Sequence, residues 1–230
     1  MLLLGLQKLT LLDFPGKVAC TVFTGGCNFR CPFCHNAGLV ISPDAENKIP
    51  EEEFFSFLKS RSGILDGVCI TGGEPLVCDD IFGFAEKIKS LGYAVKLDTN
   101  GSFPKKLSAL ADLSLIDYVA MDIKNSKEKY ALSAGIKNLD IKNIEKSVDF
   151  LLKNKIPYEF RTTVTKELHD EDDFKSIADF LQGAEKYYLQ QYVPSGNMIG
   201  KPMSAYTKNE LYAFAAILEK KIKFVGIRGI

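Results

Sequence analysis

The chain has 230 residues, 46% of them hydrophobic, which is enough for one sizeable core in one domain. Lysine plus arginine and aspartate plus glutamate stand at 29 each, a balance that excludes a basic footprint for nucleic acid or for an acidic lipid surface. Six cysteines in a chain of this size do not suggest a disulfide scaffold, and clustered cysteines in a reducing cytoplasm read as metal ligands or catalytic groups.

The first sixteen residues, MLLLGLQKLTLLDFPG, have neither a charged leading region nor a long apolar run. They read as an N-terminal extension rather than a signal peptide or membrane span. A strand is predicted over 17–24 (KVACTVFT), leading into a cysteine-rich loop, and a helix over 50–60 with Pro50 in its first turn and an acidic start. A strand over 66–71 ends at Gly-Gly-Glu-Pro. The helix over 79–91 stops at Gly92, and a strand over 94–99 ends at Asn-Gly. A short helix near 104–111 follows. Three more strands, 116–123, 156–164 and 186–193, are separated or followed by helices near 141–154, 170–182 and 207–220.

Six strand–helix units imply a parallel sheet with right-handed crossovers. A closed eight-unit barrel takes roughly 250 residues, so an incomplete (β/α)6 barrel is the expected fold, with a doubly wound open sheet as the alternative. One domain is expected, with a core barrel over 17–193 and a C-terminal helix and tail over 194–230.

The polar residues gather at the carboxyl ends of these strands. Cys27, Cys31 and Cys34 follow the first, TGGEP (71–75) ends the second, and DTNG (98–101) ends the third. MDIK (121–124) ends the fourth, and Arg161 and Thr163 lie late on the fifth, on one face. Parallel α/β folds place ligands at that end of the sheet.

The cysteines are spaced C-x3-C-x2-C, with no fourth nearby. Structural zinc wants four closing ligands, usually as two separated pairs, and a redox C-x2-C pair leaves Cys27 unexplained. An iron–sulfur cluster fits better, since thiolates are its usual ligands. Three thiolates hold three irons of a [4Fe–4S] cube and leave the fourth open to substrate. Cys20 and Cys69 read as buried strand residues, and Cys78 is a weak candidate for anything more.

With Phe33 before the last cysteine, the array resembles the signature of radical S-adenosylmethionine (SAM) enzymes, and the resemblance runs from about Asp13 to Val193. TGGEP resembles that family's segment for the SAM amino group. DTNG and MDIK resemble the equivalents in glycyl-radical enzyme activases. LDFPGKVACTVFTGGCNFRCPFCHN is most similar to activating proteins of anaerobic ribonucleoside-triphosphate reductases.

The resemblance implies that the open iron chelates the amino and carboxylate groups of SAM. Gly72, Gly73 and Glu74 then border its methionine part, with Glu74 in a supporting role. Asp98 helps hold the ammonium beside Thr99 and Asn100. Lys124 suits the SAM carboxylate or ribose, and Asp122 keeps it charged; Arg161 needs an anionic partner, for which the SAM carboxylate is one candidate. Phe33, Tyr192 and Val193 border adenine, and a monovalent cation lies between the equivalents of Asp98 and Asp122 in some activases. The implied reaction is reductive cleavage of SAM to a 5′-deoxyadenosyl radical, fed by a flavodoxin or ferredoxin and aimed at a glycine of a protein partner. The leading partner is the large subunit of an anaerobic ribonucleotide reductase. The alternatives are another glycyl-radical enzyme such as pyruvate formate-lyase, a small-molecule enzyme such as 7-carboxy-7-deazaguanine synthase, and a non-catalytic zinc module.

Overall fold

The structure is a computed structural model describing residues 1–43, 48–194 and 198–230. Its eight strands are β1 (Leu3–Thr10), β2 (Ala19–Thr24), β3 (Gly67–Gly72), β4 (Ala94–Thr99), β5 (Tyr118–Asp122), β6 (Tyr158–Val164), β7 (Tyr187–Gln191) and β8 (Val225–Arg228). They follow one another across a single sheet in chain order. β1 runs antiparallel to β2, while β2, β3 and β4 are parallel, as are β6, β7 and β8. This is the α/β fold with a parallel-dominated sheet that the alternation of strands and helices led us to expect. β2 to β7 are the six predicted strands.

β1 and β8 are additions to that expectation. β1 lies within the segment read as an extension, and its burial runs from Leu3 at one end to exposed residues at 7–9 without clean alternation. β8 has four half-buried residues, one of them Gly226, too short and too mixed to register as a strand. Its anchor is tertiary: Arg228 donates from Nη1 and Nη2 to Glu159 of β6 at 2.7 and 2.9 Å, and Glu159 is almost wholly buried. A buried carboxylate needs such a partner.

The helices between strands form for local reasons. The helix Ile141–Leu152 buries Ile144, Ser147, Val148 and Leu151, one stripe at helical spacing, and Asp140 caps its first turn by accepting from Lys142 N. The helix Glu171–Phe180 begins with a reciprocal capping box between Asp170 and Asp173. The helix Ile81–Ser90 ends before Gly92, whose positive φ a side chain would disfavour. Among the described residues no helix is long and apolar enough to cross a membrane.

The chain divides into two compact units. The first comprises Met1–Asn28, Gly38–Thr99 and Lys105–Val119. Its core sets Val68, Ile70, Val95 and Leu97 of the strands with Phe54 and Phe84, whose rings stack at 5.4 Å. The second comprises Phe29–Ala37, Asn100–Pro104 and Ala120–Ile230. Its core holds Phe160, Leu189 and Tyr187, whose hydroxyl donates to Thr162 Oγ1, together with Phe174 stacked on Phe214 at 4.4 Å.

Candidate functional site

In the first unit, the loop after β2 and the loop after β3 are built against each other through backbone. Gly73 N donates to Thr24 O and Glu74 N to Gly26 O, both at 2.9 Å. A Cβ on Gly73 would lie 1.9 Å from Gly26 O, and one on Gly72, at φ +116, would lie 2.4 Å from Thr24 N. Both glycines of TGGEP are therefore required by the close approach of two loops. The Glu74 carboxylate is buried and turned into the protein, where its Oε1 accepts from Leu76 N at 3.0 Å and from the Thr99 hydroxyl at 2.9 Å. It caps the 3-10 turn Pro75–Val77 and ties that turn to the end of β4.

Asp98 lies on the same strand as Lys96, two residues on and so on the same face. Lys96 Nζ is ion-paired with Asp98 Oδ1. Cys69, directly opposite Lys96 in the β3–β4 register, donates to the same oxygen at 3.7 Å and accepts from Lys96 Nζ at 3.7 Å. Lys96 is only 2% exposed. The sequence reading passed over it, and the signal was present: a lysine inside an otherwise apolar strand, two residues before an acid. Cys20 and Cys69 are both fully buried on their strands, as expected, and burial pushes the Cys20 thiol up to about 12.

Cys27 lies in the first unit's share of the cysteine loop, while Cys31 and Cys34 belong to the second unit. None of the three is in a disulfide, and Cys31 is buried with the other two partly so. Cys34 N donates to Cys31 O at 3.1 Å, which makes a turn of the C-x2-C segment. Arg30 N donates to Ala134 O at 2.9 Å, and a Cβ on Gly135 would lie 2.1 Å from Arg30 O, so this loop too is fixed by backbone contact. Burial raises the Cys31 thiol, Lys124 opposes that rise, and Cys34 and Asp122 add to it. Burial likewise raises Cys34, against a hydrogen bond from the Asn36 backbone and the charge of Lys124.

Asp122 is the hub of the second unit's charges. Its Oδ1 accepts from Arg161 Nε at 2.8 Å and its Oδ2 from Lys124 Nζ at 3.1 Å. Burial alone would raise this carboxyl, but Arg161 and then Lys124 outweigh it and hold it at about 2. Asp122 in turn, with Cys31, raises Lys124 against the effect of burial. Asp122 is therefore one anionic partner that Arg161 has within the protein. Lys124 Nζ lies 5.9 Å from the centre of the buried Phe33 ring, and its backbone oxygen contacts His169 Nε2 at 3.0 Å.

Asn100 is buried in a turn, its Oδ1 accepting from the backbone and the hydroxyl of Ser102. Tyr192 and Val193 fall just beyond β7, which ends at Gln191. Tyr192 is buried beside His35, ring centres 5.7 Å apart, while Val193 is largely exposed. Among the described residues no three His, Cys, Asp or Glu side chains are gathered tightly enough to close on a single metal ion. A cubane cluster makes a different demand, since each thiolate takes its own iron.

A family profile described as the radical SAM superfamily matches residues 21–181. A protein of Methanocaldococcus jannaschii, provisionally named a glycyl-radical enzyme activating enzyme, is 34% identical over 232 residues, covering 98% of this chain and 95% of that one. Among solved structures, Streptococcus suis SuiB bound to S-adenosylmethionine aligns over 90% of this chain with a TM-score of 0.69 at 17% identity. The alignment spans 49% of SuiB, about half of it. A domain of a pyruvate-formate lyase-activating enzyme from Bacteroides vulgatus aligns over 70% of this chain and 98% of its own length, with a TM-score of 0.55 at 18% identity. The two structural likenesses speak for the fold alone. The profile covers the cysteine loop, both glycine-rich turns and the Asp122 hub, and with the near full-length relative it establishes that this chain belongs to the radical SAM superfamily.

Proposed function

We propose that this chain is an activase that cleaves SAM reductively and writes a glycyl radical into a protein partner, the large subunit of an anaerobic ribonucleotide reductase. The observation that carries the reading is the near full-length likeness to a relative named for glycyl-radical enzyme activation. LDFPGKVACTVFTGGCNFRCPFCHN, similar to the reductase-activating subgroup, supports the choice of partner.

Superfamily membership implies a [4Fe–4S] cluster and SAM, and the donor set suits them. Cys27, Cys31 and Cys34 lie within eight consecutive positions and none is in a disulfide, and thiolates are the usual ligands of such a cluster. When bound, the cluster and SAM supply a one-electron cleavage that yields an organic radical able to take hydrogen from a glycine Cα. The chain's own residues supply position. Glu74 and the backbone of Gly72 and Gly73 fix the loop that would border the methionine part. Asp98, with Thr99 and Asn100 after it, offers a carboxylate for the ammonium. Lys124 and Arg161, oriented by Asp122, present positive charge suited to the SAM carboxylate or ribose. Phe33 and Tyr192 are the aromatic candidates for the adenine. A flavodoxin or ferredoxin is the electron donor that fits a low-potential cluster.

The test is EPR spectroscopy of the anaerobically reconstituted, reduced protein mixed with SAM and that large subunit. A glycyl doublet requiring all three additions is expected. Its absence, from a sample that still cleaves SAM, removes this partner and turns the search to other glycyl-radical enzymes and then to small molecules.

A further inference from the structure

β5 stops at Asp122, and Ile123 N still donates to Arg161 O at 2.8 Å. Past that point two side chains tie the segment to the loop after β6. Lys124 O contacts His169 Nε2 at 3.0 Å, and Asn125 Nδ2 donates to Leu168 O at 2.8 Å. His169 and Asn125 are both buried.

The partners of His169 decide where its proton sits. Nδ1 faces Thr165 N at 3.3 Å, and a backbone N–H can only donate, so Nδ1 accepts. The ring hydrogen is therefore on Nε2, facing a carbonyl that can only accept. A cationic ring would lose the bond from Thr165, and burial lowers the pKa of this histidine, which favours the same neutral form. Burying an imidazole is costly unless its nitrogens are matched. One match closes the histidine's own loop, while the other reaches 45 residues back along the chain to Lys124. The residue is itself held in place: the Tyr206 hydroxyl donates to His169 O at 2.6 Å, and Phe174 stacks on the ring at 5.9 Å.

Lys124 is thus fixed at both ends, its carbonyl on His169 and its ammonium on Asp122 Oδ2 at 3.1 Å. We propose that His169 is the positioning residue of Lys124, donating from Nε2 to its carbonyl so that the ammonium is presented to the SAM carboxylate or ribose. This rests on the reading of Lys124 as part of the SAM site.

The first test needs neither cluster nor SAM. Nitrogen-15 NMR of the cluster-free wild type near neutral pH should show His169 neutral and protonated on Nε2, with that proton slow to exchange with water. A ring protonated on Nδ1, or a cationic one, overturns the inference. The second test measures SAM affinity in the reconstituted protein. His169→Leu removes the donor and should weaken SAM about tenfold. His169→Gln, whose amide N–H has the reach of Nε2, should stay within about twofold of the wild type. In a Lys124→Ala background His169→Leu should cost nothing further, because the histidine acts through that lysine. Unchanged affinity in His169→Leu, equal losses in the leucine and glutamine variants, or a loss added to that of Lys124→Ala each overturn the inference. His169→Met takes the place of His169→Leu if the latter does not fold. If the wild type holds its cluster and binds no SAM, the reading of the SAM site falls, and the NMR result still decides whether His169 donates to Lys124.

Discussion

Asp98 in the first unit and Asp122 in the second are both strand-end carboxylates set beside positive charge, and they differ in how that charge arrives. Lys96 reaches Asp98 from the same strand, and the pair is nearly sealed, with side-chain exposures of 2% and 13%. Asp122 is 29% exposed and takes one cation from two residues ahead and another, Arg161, from a different strand. The first arrangement is a local pair on one strand, so losing either member takes a buried charge's strand partner away. The second is a network of three charges with some access to water at Asp122, which can lose one bond and keep another. The tight pair holds its carboxylate in one place, whereas the more open network can shift its bonds as a ligand arrives.

The largest expected effect bears on what both carboxylates are there to serve. Replacing Cys27, Cys31 or Cys34 by alanine should each abolish SAM cleavage, read as loss of the 5′-deoxyadenosine product and of bound iron and sulfide. Retained cleavage by any one of them would remove that residue from the ligand set.

Asp98→Asn should cost more stability than Asp122→Asn, and this is the direct challenge to the contrast between the units. The first leaves Lys96 charged in a buried position and should cost about 3–5 kcal/mol. The second leaves two partly hydrated cations and should cost about 1–3 kcal/mol. Urea unfolding of the cluster-free protein measures both. Equal losses would show that the two groups are energetically alike.

The Asp122 network also predicts a pH dependence. Its folded carboxyl, near 2, lies below the ordinary value of 3.8, so its contribution to stability is complete above the ordinary carboxylate range. It fades as pH falls through about 2, because the unfolded chain takes up the proton first. Carbon-13 titration of the carboxyl should show this. Arg161→Gln should move the midpoint back up toward 3.8, and an unmoved midpoint would assign the shift to Lys124 alone.

Gly73→Ala probes the backbone contact on which the first unit's loops depend. With a Cβ 1.9 Å from Gly26 O, the loops must separate, at a cost of about 1–3 kcal/mol, and less iron should be retained after reconstitution. The smallest effect belongs to Cys20→Ala. It empties a little space in the core, costs about 1 kcal/mol, and should leave SAM cleavage intact.

Much of this protein is written locally. The six central strands were legible because strands covered on both faces read as short apolar runs, as VCI of β3 and YVAM of β5 do. The helices between them were legible from their apolar stripes, caps and terminal glycines. The cysteine spacing, TGGEP, DTNG and MDIK could be seen without any structure, because their residues lie within one or two turns of chain.

What the sequence alone left undecided depends on groups distant along the chain. β8 is held by its pairing with β7 and by Arg228 on buried Glu159, 69 residues away, and no local pattern in four mixed residues announces that. Gly72 and Gly73 looked suited to approaching a ligand, whereas the folded chain requires them so that one loop can close on another. Lys96 owes its burial to the β3–β4 register, which sets Cys69 beside it, and to the core that closes over both. Arg161 found its anion in Asp122, 39 residues earlier in the chain. Propensity and spacing act over a few residues and fix which elements form. Burial of charge is decided only when distant segments meet, and the cost of leaving such a charge alone selects its partner.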